Sequence, residues 1–235
     1  MTGKSKIEWT ESTWNPITGC TKISEGCLNC YAERMAKRLK AMGQEKYKNS
    51  FIVTLHLECL NEPLTSKKPQ IIFVCSMSDL FHKDVPDEFI KQVFEVMNKA
   101  HWHTFQVLTK RSDRLAKLAP ELNWTDNIWM GVTVESNAQK VRIKDLLKTP
   151  AKIKYLSIEP MITEVKPLSL KGINWVIVGG ESGPGARPLE EKWVTYVRDE
   201  CIKSKVPFFF KQWGGTNKKA AGSLLQGKHW KELPV

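Results

Sequence analysis

The chain has 235 residues, 41% hydrophobic and 26% charged, which is enough to bury one sizeable core and forces no second domain. Thirty-six Lys and Arg face 25 Asp and Glu, a formal charge of +11 that favours a polyanionic partner, nucleic acid being the usual one. The basic residues are spread over most of the chain, so a merely solvated basic surface is the alternative. No apolar run reaches membrane-spanning length and Met1–Lys6 carries no apolar signal core, which leads to the expectation of a soluble, cytoplasmic protein without membrane contact.

In chain order, Ile7-Glu8-Trp9-Thr10 is a short strand candidate, and Trp14-Asn15-Pro16-Ile17 is a turn that feeds a cysteine loop. Three of the six cysteines fall there, as Cys20-x6-Cys27-x2-Cys30, in a loop over 19–31 broken by Gly19 and Gly26. Thiols packed so closely suit a metal centre, and a reducing compartment favours metal over disulfide. Beside a disulfide or inert thiols, two metal readings stay open from the spacing alone. One is a structural zinc site with a fourth ligand from His56, Cys59, Cys75 or Cys201. The other is a [4Fe–4S] cluster whose fourth iron has no protein ligand.

Leu28–Met42 shows helical spacing with a stop at Gly43, and 44–70 is irregular. Six short apolar runs then follow, at 71–75, 104–108, 128–132, 153–156, 173–178 and 206–210. Helical patterns over 85–97, 112–119, 137–148 and about 189–204 separate most of them. Runs that are apolar on both faces and alternate with helices predict buried parallel strands. With the weak first strand this is an α/β fold, a partial (β/α) barrel of six or seven parallel strands or an open doubly wound sheet.

Each run ends in polar residues: Ser78 and Asp79, Thr109 and Lys110, Thr133 and Glu135, Ser157 and Glu159, Gly180 and Glu181, Lys211 and Gln212. In a parallel barrel these ends share one rim and converge on one pocket, which favours the barrel and puts the cysteine loop on that rim. His82, His101 and His103 form no metal-ligand pattern of their own. The expected division is one domain over 1–213 and a mobile basic tail over 214–235, with Lys218, Lys219, Lys228 and Lys231.

With the cysteine loop and these strand ends in place, the sequence resembles the radical S-adenosylmethionine (SAM) superfamily. It is most similar to a three-cysteine-motif family of phages and bacteria, through Thr13-Trp14-Asn15-Pro16, Ser78-Asp79-Leu80-Phe81-His82, Leu108-Thr109-Lys110-Arg111, Gly131-Val132-Thr133-Val134-Glu135, Ser157-Ile158-Glu159-Pro160, Gly179-Gly180-Glu181-Ser182-Gly183 and Lys211-Gln212-Trp213-Gly214. The resemblance implies a partial barrel, a [4Fe–4S] cluster on Cys20, Cys27 and Cys30, SAM on its open iron, and an external electron donor. Electron transfer into the sulfonium would break a carbon–sulfur bond and yield a deoxyadenosyl radical that abstracts a substrate hydrogen.

Among radical SAM families the sequence resembles spore photoproduct lyase, a DNA-repair enzyme, in its Ser78-Asp79 and Thr109-Lys110 pairs. By that resemblance Ser78, Asp79 and Lys110 are candidates for binding SAM, with Lys110 suited to its carboxylate, and Thr133, Glu135, Glu159, Gly180 and Glu181 join them as residues of the other polar strand ends. The superfamily's first cysteine gap is three where this chain has six, Asn29 stands where an aromatic residue usually precedes the third cysteine, and Gly180-Glu181 follows a later strand than the superfamily's amine-binding motif. Cys75 is the one thiol near the place of the lyase's hydrogen donor. It stands one residue off, on the opposite strand face, so a catalytic role competes there with that of a buried small apolar residue. Glu135 and Glu159 are equally readable as salt-bridge partners of Lys110 or Arg111.

Overall fold

The computed structural model describes residues 3–5, 7–217 and 221–234. Its strands are β1 (Gly3–Lys4), β2 (Ser12–Trp14), β3 (Ile17–Thr18), β4 (Thr54–Leu55), β5 (Ile71–Val74), β6 (Thr104–Thr109), β7 (Ile128–Thr133), β8 (Lys154–Ile158), β9 (Trp175–Gly179), β10 (Phe208–Gln212), β11 (Leu224–Leu225) and β12 (Lys228–His229). Its α-helices are α1 (Tyr31–Ala41), α2 (Asp87–Lys99), α3 (Ser112–Leu118), α4 (Val141–Leu146) and α5 (Glu191–Ser204).

The main sheet runs β1-β2-β5-β6-β7-β8-β9-β10. From β2 to β10 every pairing is parallel, while β1 is an antiparallel edge. Spatial order follows chain order without a reversal, so the switch point of a doubly wound sheet does not arise. The fold is a partial (β/α) barrel of seven parallel strands.

Alternation along the strands builds two apolar layers. Met130, Val132, Leu156, Val176 and Phe210 pack with the helices' Val93, Phe94, Leu115, Leu146 and Val197. The intervening Tyr155, Trp175, Ile177 and Phe209 form a second cluster with Trp9, and Phe73, Leu108 and Trp129 lean on it. Helix α2 follows Pro86, with Asp87 and Glu88 in its first turn, where the helix dipole favours them, and it buries Phe89, Ile90, Val93 and Met97.

Three expectations change. Ile7–Thr10 is a turn closed by Thr10 N donating to the Ile7 carbonyl (3.2 Å). Trp9 plugs the aromatic cluster there, 4.8 Å from Phe73 and 6.1 Å from Trp175 between ring centroids. The first parallel strand is instead Ser12–Trp14, where Trp14 is fully buried and its indole N–H donates to the Cys59 carbonyl (2.8 Å). Within 44–70, β4 pairs with β3 and short 3₁₀ turns fill much of the remainder. The C-terminal segment, expected to be mobile, is docked over its described residues. Phe210 N donates to the Trp230 carbonyl (2.9 Å), and the Trp175 indole to the Glu232 carbonyl (2.8 Å). Lys218 and Lys219 of that segment lie outside the described residues. Among the described residues, no helix is long and apolar enough to cross a membrane.

Trp175 joins Trp9, Trp129, Tyr155 and Phe209 in ring contacts. Trp175→Ala is expected to cost about 3–5 kcal/mol in urea unfolding. A loss below about 1 kcal/mol would contradict the central place given to this cluster.

Candidate active site

At the C-terminal ends of the strands, three buried carboxylates meet the cysteine loop. The first is Asp79, in the turn after β5. Its Oδ1 accepts from Thr109 Oγ1 (2.7 Å) and Phe81 N (3.0 Å), and its Oδ2 from Lys110 N (3.0 Å) and Arg111 Nη1 (3.1 Å). Arg111 reaches onward to the loop, donating to Cys20 Sγ (3.5 Å), the Thr21 carbonyl (3.0 Å) and Thr21 Oγ1 (3.1 Å). His82, fully buried, meets the same hydroxyl at 2.8 Å. Gly19 N donates to the Met77 carbonyl (3.0 Å), and Ser78 Oγ to the Ile17 carbonyl (2.9 Å), so the turn after β5 and the start of the loop form one body.

Glu135, after β7, is 1% exposed. Its Oε2 takes Arg142 Nη1 at 2.6 Å, and its Oε1 takes Ser24 Oγ at 2.6 Å and lies 3.2 Å from Lys110 Nζ. Ser24 in turn lies 3.7 Å from Cys27 Sγ. Gly26 stands against this carboxylate so closely that a Cβ would come within 2.5 Å of it. Burial alone would raise the Glu135 pKa, but Lys110, Arg142 and the Ser24 hydroxyl outweigh it and hold the carboxyl below its ordinary range.

Glu181, after β9, is engaged by Arg187 through Nη2 (2.6 Å), Nε (2.9 Å) and the backbone N–H (3.0 Å), and by Asn29 Nδ2 (3.0 Å). Asn29 immediately precedes Cys30 and also donates to the Gly185 carbonyl (2.9 Å), while Arg187 donates to the Glu25 carbonyl (3.0 Å). Burial is opposed here by these Arg187 and Asn29 contacts, and the Glu181 pKa is lowered.

The loop thiols of Cys20, Cys27 and Cys30 are free and half-buried, whereas Cys59, Cys75 and Cys201 are free and buried. Burial, then the charge of Asp79, pushes the Cys20 thiol up to about 11 against the pull of Arg111. Among the described residues no three Cys, His, Asp or Glu side chains are already gathered as a metal cage. A cavity of about 560 Å³ opens beside Cys20, walled by Lys22, Lys40 and Phe51–Val53. Cys75, with φ at 60°, lies in the main apolar core with its thiol pushed up to about 12 by burial.

The remaining candidates sit on the same rim. Thr133 is buried with its carbonyl held by Arg142 (2.7 Å). Glu159 pairs with Lys211 at 2.6 Å. Gly180 is required where it stands, since a Cβ would come within 2.0 Å of the Trp213 carbonyl oxygen. The arginines Arg111, Arg142 and Arg187 escaped sequence reasoning as site residues. Only Arg111 had a local signal, its place directly after Thr109-Lys110.

A family profile described as "Protein of unknown function (DUF5131)" matches residues 4–234. The chain belongs to the DUF5131 family. No curated protein matches it. Among solved structures, this DUF5131 chain is similar to a single-site mutant of spore photoproduct lyase, with a TM-score of 0.52 and 10% identity over 86% of this chain and 64% of the other. It is also similar to a double mutant of that lyase with bound AdoMet and dinucleoside spore photoproduct, with a TM-score of 0.51 and the same identity and coverage. The chain spans 64% of the length of these structures, and the likeness is one of fold. The fold of this DUF5131 chain is thus like that of spore photoproduct lyase.

Glu135→Ala strands the buried Arg142 and is expected to cost about 3–5 kcal/mol in urea unfolding. Retention of wild-type stability would contradict the pairing. Because the folded pKa values of Glu135 and Glu181 lie below the unfolded value of about 4.3, their stabilisation is complete above that pH and disappears as pH falls through the folded values. The Tm gap between wild type and Glu135→Gln should therefore narrow on acidification, and a gap that widens would contradict this linkage.

Proposed function

We propose that this DUF5131 protein is a radical SAM enzyme whose [4Fe–4S] cluster is held by Cys20, Cys27 and Cys30, and that it acts on a nucleic acid or nucleotide-containing substrate. The observation that carries the reading is the three-thiol loop tied, through three buried carboxylates, to the C-terminal rim of a partial barrel. The donor set fits such a cluster. Three soft sulfur ligands on a glycine-broken loop suit iron, and an incomplete protein ligand set leaves one metal position for an exogenous ligand. All three thiols are free and none is fully buried.

When bound, the cluster and SAM supply reductive cleavage of a carbon–sulfur bond and thereby attack on a substrate C–H. The chain's own residues position and neutralise. Lys110 is 20% exposed and 3.2 Å from Glu135, and its ammonium suits a ligand carboxylate. The Glu159–Lys211 pair, with Gln212 donating to Ser182 Oγ (2.8 Å), offers acceptors and donors for ribose or base groups on the other wall. Cys75, sealed in the core, serves packing in this reading and not hydrogen donation. A nucleic acid substrate is supported by the +11 charge and by the dinucleoside bound in the similar lyase structure.

Anaerobic reconstitution should load about four irons per chain, and the loaded protein with SAM and a reductant should release deoxyadenosine. Cys27→Ser should abolish both. Stoichiometric zinc with no iron uptake would overturn the reading. Binding to single- or double-stranded oligonucleotides should weaken steeply with salt, as counterion release requires. Affinity without salt dependence would move the substrate to a protein or small molecule.

A further inference from the structure

Among the described residues, Cys20 is the one thiol of the loop within hydrogen-bond reach of a cationic side chain. Arg111 Nη1 lies 3.5 Å from its sulfur, whereas Cys27 meets only the neutral Ser24 hydroxyl at 3.7 Å. The other two rim arginines take different routes. Arg187 touches the loop at the Glu25 carbonyl, and Arg142 stops at Glu135 and the Thr133 carbonyl.

The Arg111 charge is fixed in place. Its guanidinium is spent on four partners, Cys20, Asp79 and both oxygens of Thr21, and the residue is 8% exposed. Asp79 is 6% exposed and is itself locked by Thr109 Oγ1, Phe81 N and Lys110 N from the ends of two strands. Neither group can swing away to be screened by water. Two opposite charges at fixed places beside one sulfur ligand act on any charge that develops on that ligand, and they act with opposite sign.

We propose that the Asp79–Arg111 pair sets the electron affinity of an iron–sulfur cluster held by Cys20, Cys27 and Cys30. Arg111 favours the reduced state through Cys20, and Asp79 opposes it. This rests on the reading that the trio holds such a cluster. The step is a one-electron reduction. The electron comes from an external reductant, the added negative charge spreads over iron and its sulfur ligands, and no covalent bond or proton transfer is required. Arg111 and Asp79 are therefore positioning and charge-setting residues that act through Cys20. Hydrogen bonding and net charge around the sulfurs are among the factors that set cluster potentials.

The sign of the effect separates this role from a purely structural one. A clamp that only held the loop would respond alike to the loss of either partner, by loosening the site. A charge-setting pair responds in opposite directions. The test uses the full chain, reconstituted anaerobically as wild type, R111K, R111M and D79N. Iron and sulfide content, the visible and paramagnetic resonance spectra, and the midpoint potential from a dye-mediated dithionite titration are measured for each. R111M is expected to shift the midpoint to more negative potential, D79N to more positive potential, and R111K to stay near wild type. Shifts of the same sign in R111M and D79N, or none in either with iron content retained, would overturn the proposal and leave the enzyme reading standing. Should R111M fail to hold iron, D79N and R111K decide, and a D79N potential at or below wild type counts against the pair. A wild-type chain that takes up zinc and no iron would overturn the enzyme reading and this proposal together.

Discussion

The arrangement depends on the pairing of three carboxylates that the fold takes out of water. Asp79, Glu135 and Glu181 are each at most 6% exposed, and each stands just beyond a strand. A buried carboxylate without partners costs several kcal/mol, so each requires cationic and backbone donors close by. Those donors draw in the cysteine loop. Arg111 joins Asp79 to Cys20 and Thr21, Ser24 joins Glu135 to the middle of the loop, and Asn29 joins Glu181 to its end beside Cys30. Since β5, β7 and β9 run parallel, the three anchors lie on one rim and hold the loop at three points. The desolvation that makes these groups costly also fixes where the thiols stand.

This arrangement divides the rim between support and reception. The oxygens of Asp79, Glu135 and Glu181 are taken up by protein donors, which suits them to hold the loop. Lys110, with one carboxylate neighbour, and the Glu159–Lys211 pair retain part of their side-chain surface exposed. Away from that rim Trp9, Trp129, Tyr155, Trp175 and Phe209 pack into one aromatic cluster. A bound group carrying both a carboxylate and sugar hydroxyls would meet charges of both signs at the rim.

Much of this was legible before the structure. The six apolar runs over 71–210 are the six long parallel strands, within a few residues at each end, because strands buried on both faces leave continuous apolar runs that no exposed element mimics. Their chain-order pairing followed from where the polar residues fell. The first strand was placed too early because Ile7–Thr10 has strand composition, while tertiary packing uses Trp9 as a plug and gives the pairing to the short Ser12–Trp14. The tail's docking was hidden because two side chains far apart in sequence, Trp175 and Phe208, receive it. The arginine partners were missed for a related reason. Arg142 and Arg187 lie on elements whose local pattern suggests a solvated cation, and only the fold brings each to a buried carboxylate.

The central claim is that the loop carrying Cys20, Cys27 and Cys30 grips iron and leaves one position open toward the barrel. A crystal structure of the anaerobically reconstituted protein, with anomalous data on both sides of the iron and zinc absorption edges, tests it directly. The account expects iron bound by those three sulfurs and by no fourth side chain. Zinc in that place, or a fourth protein ligand closing the site, would contradict it.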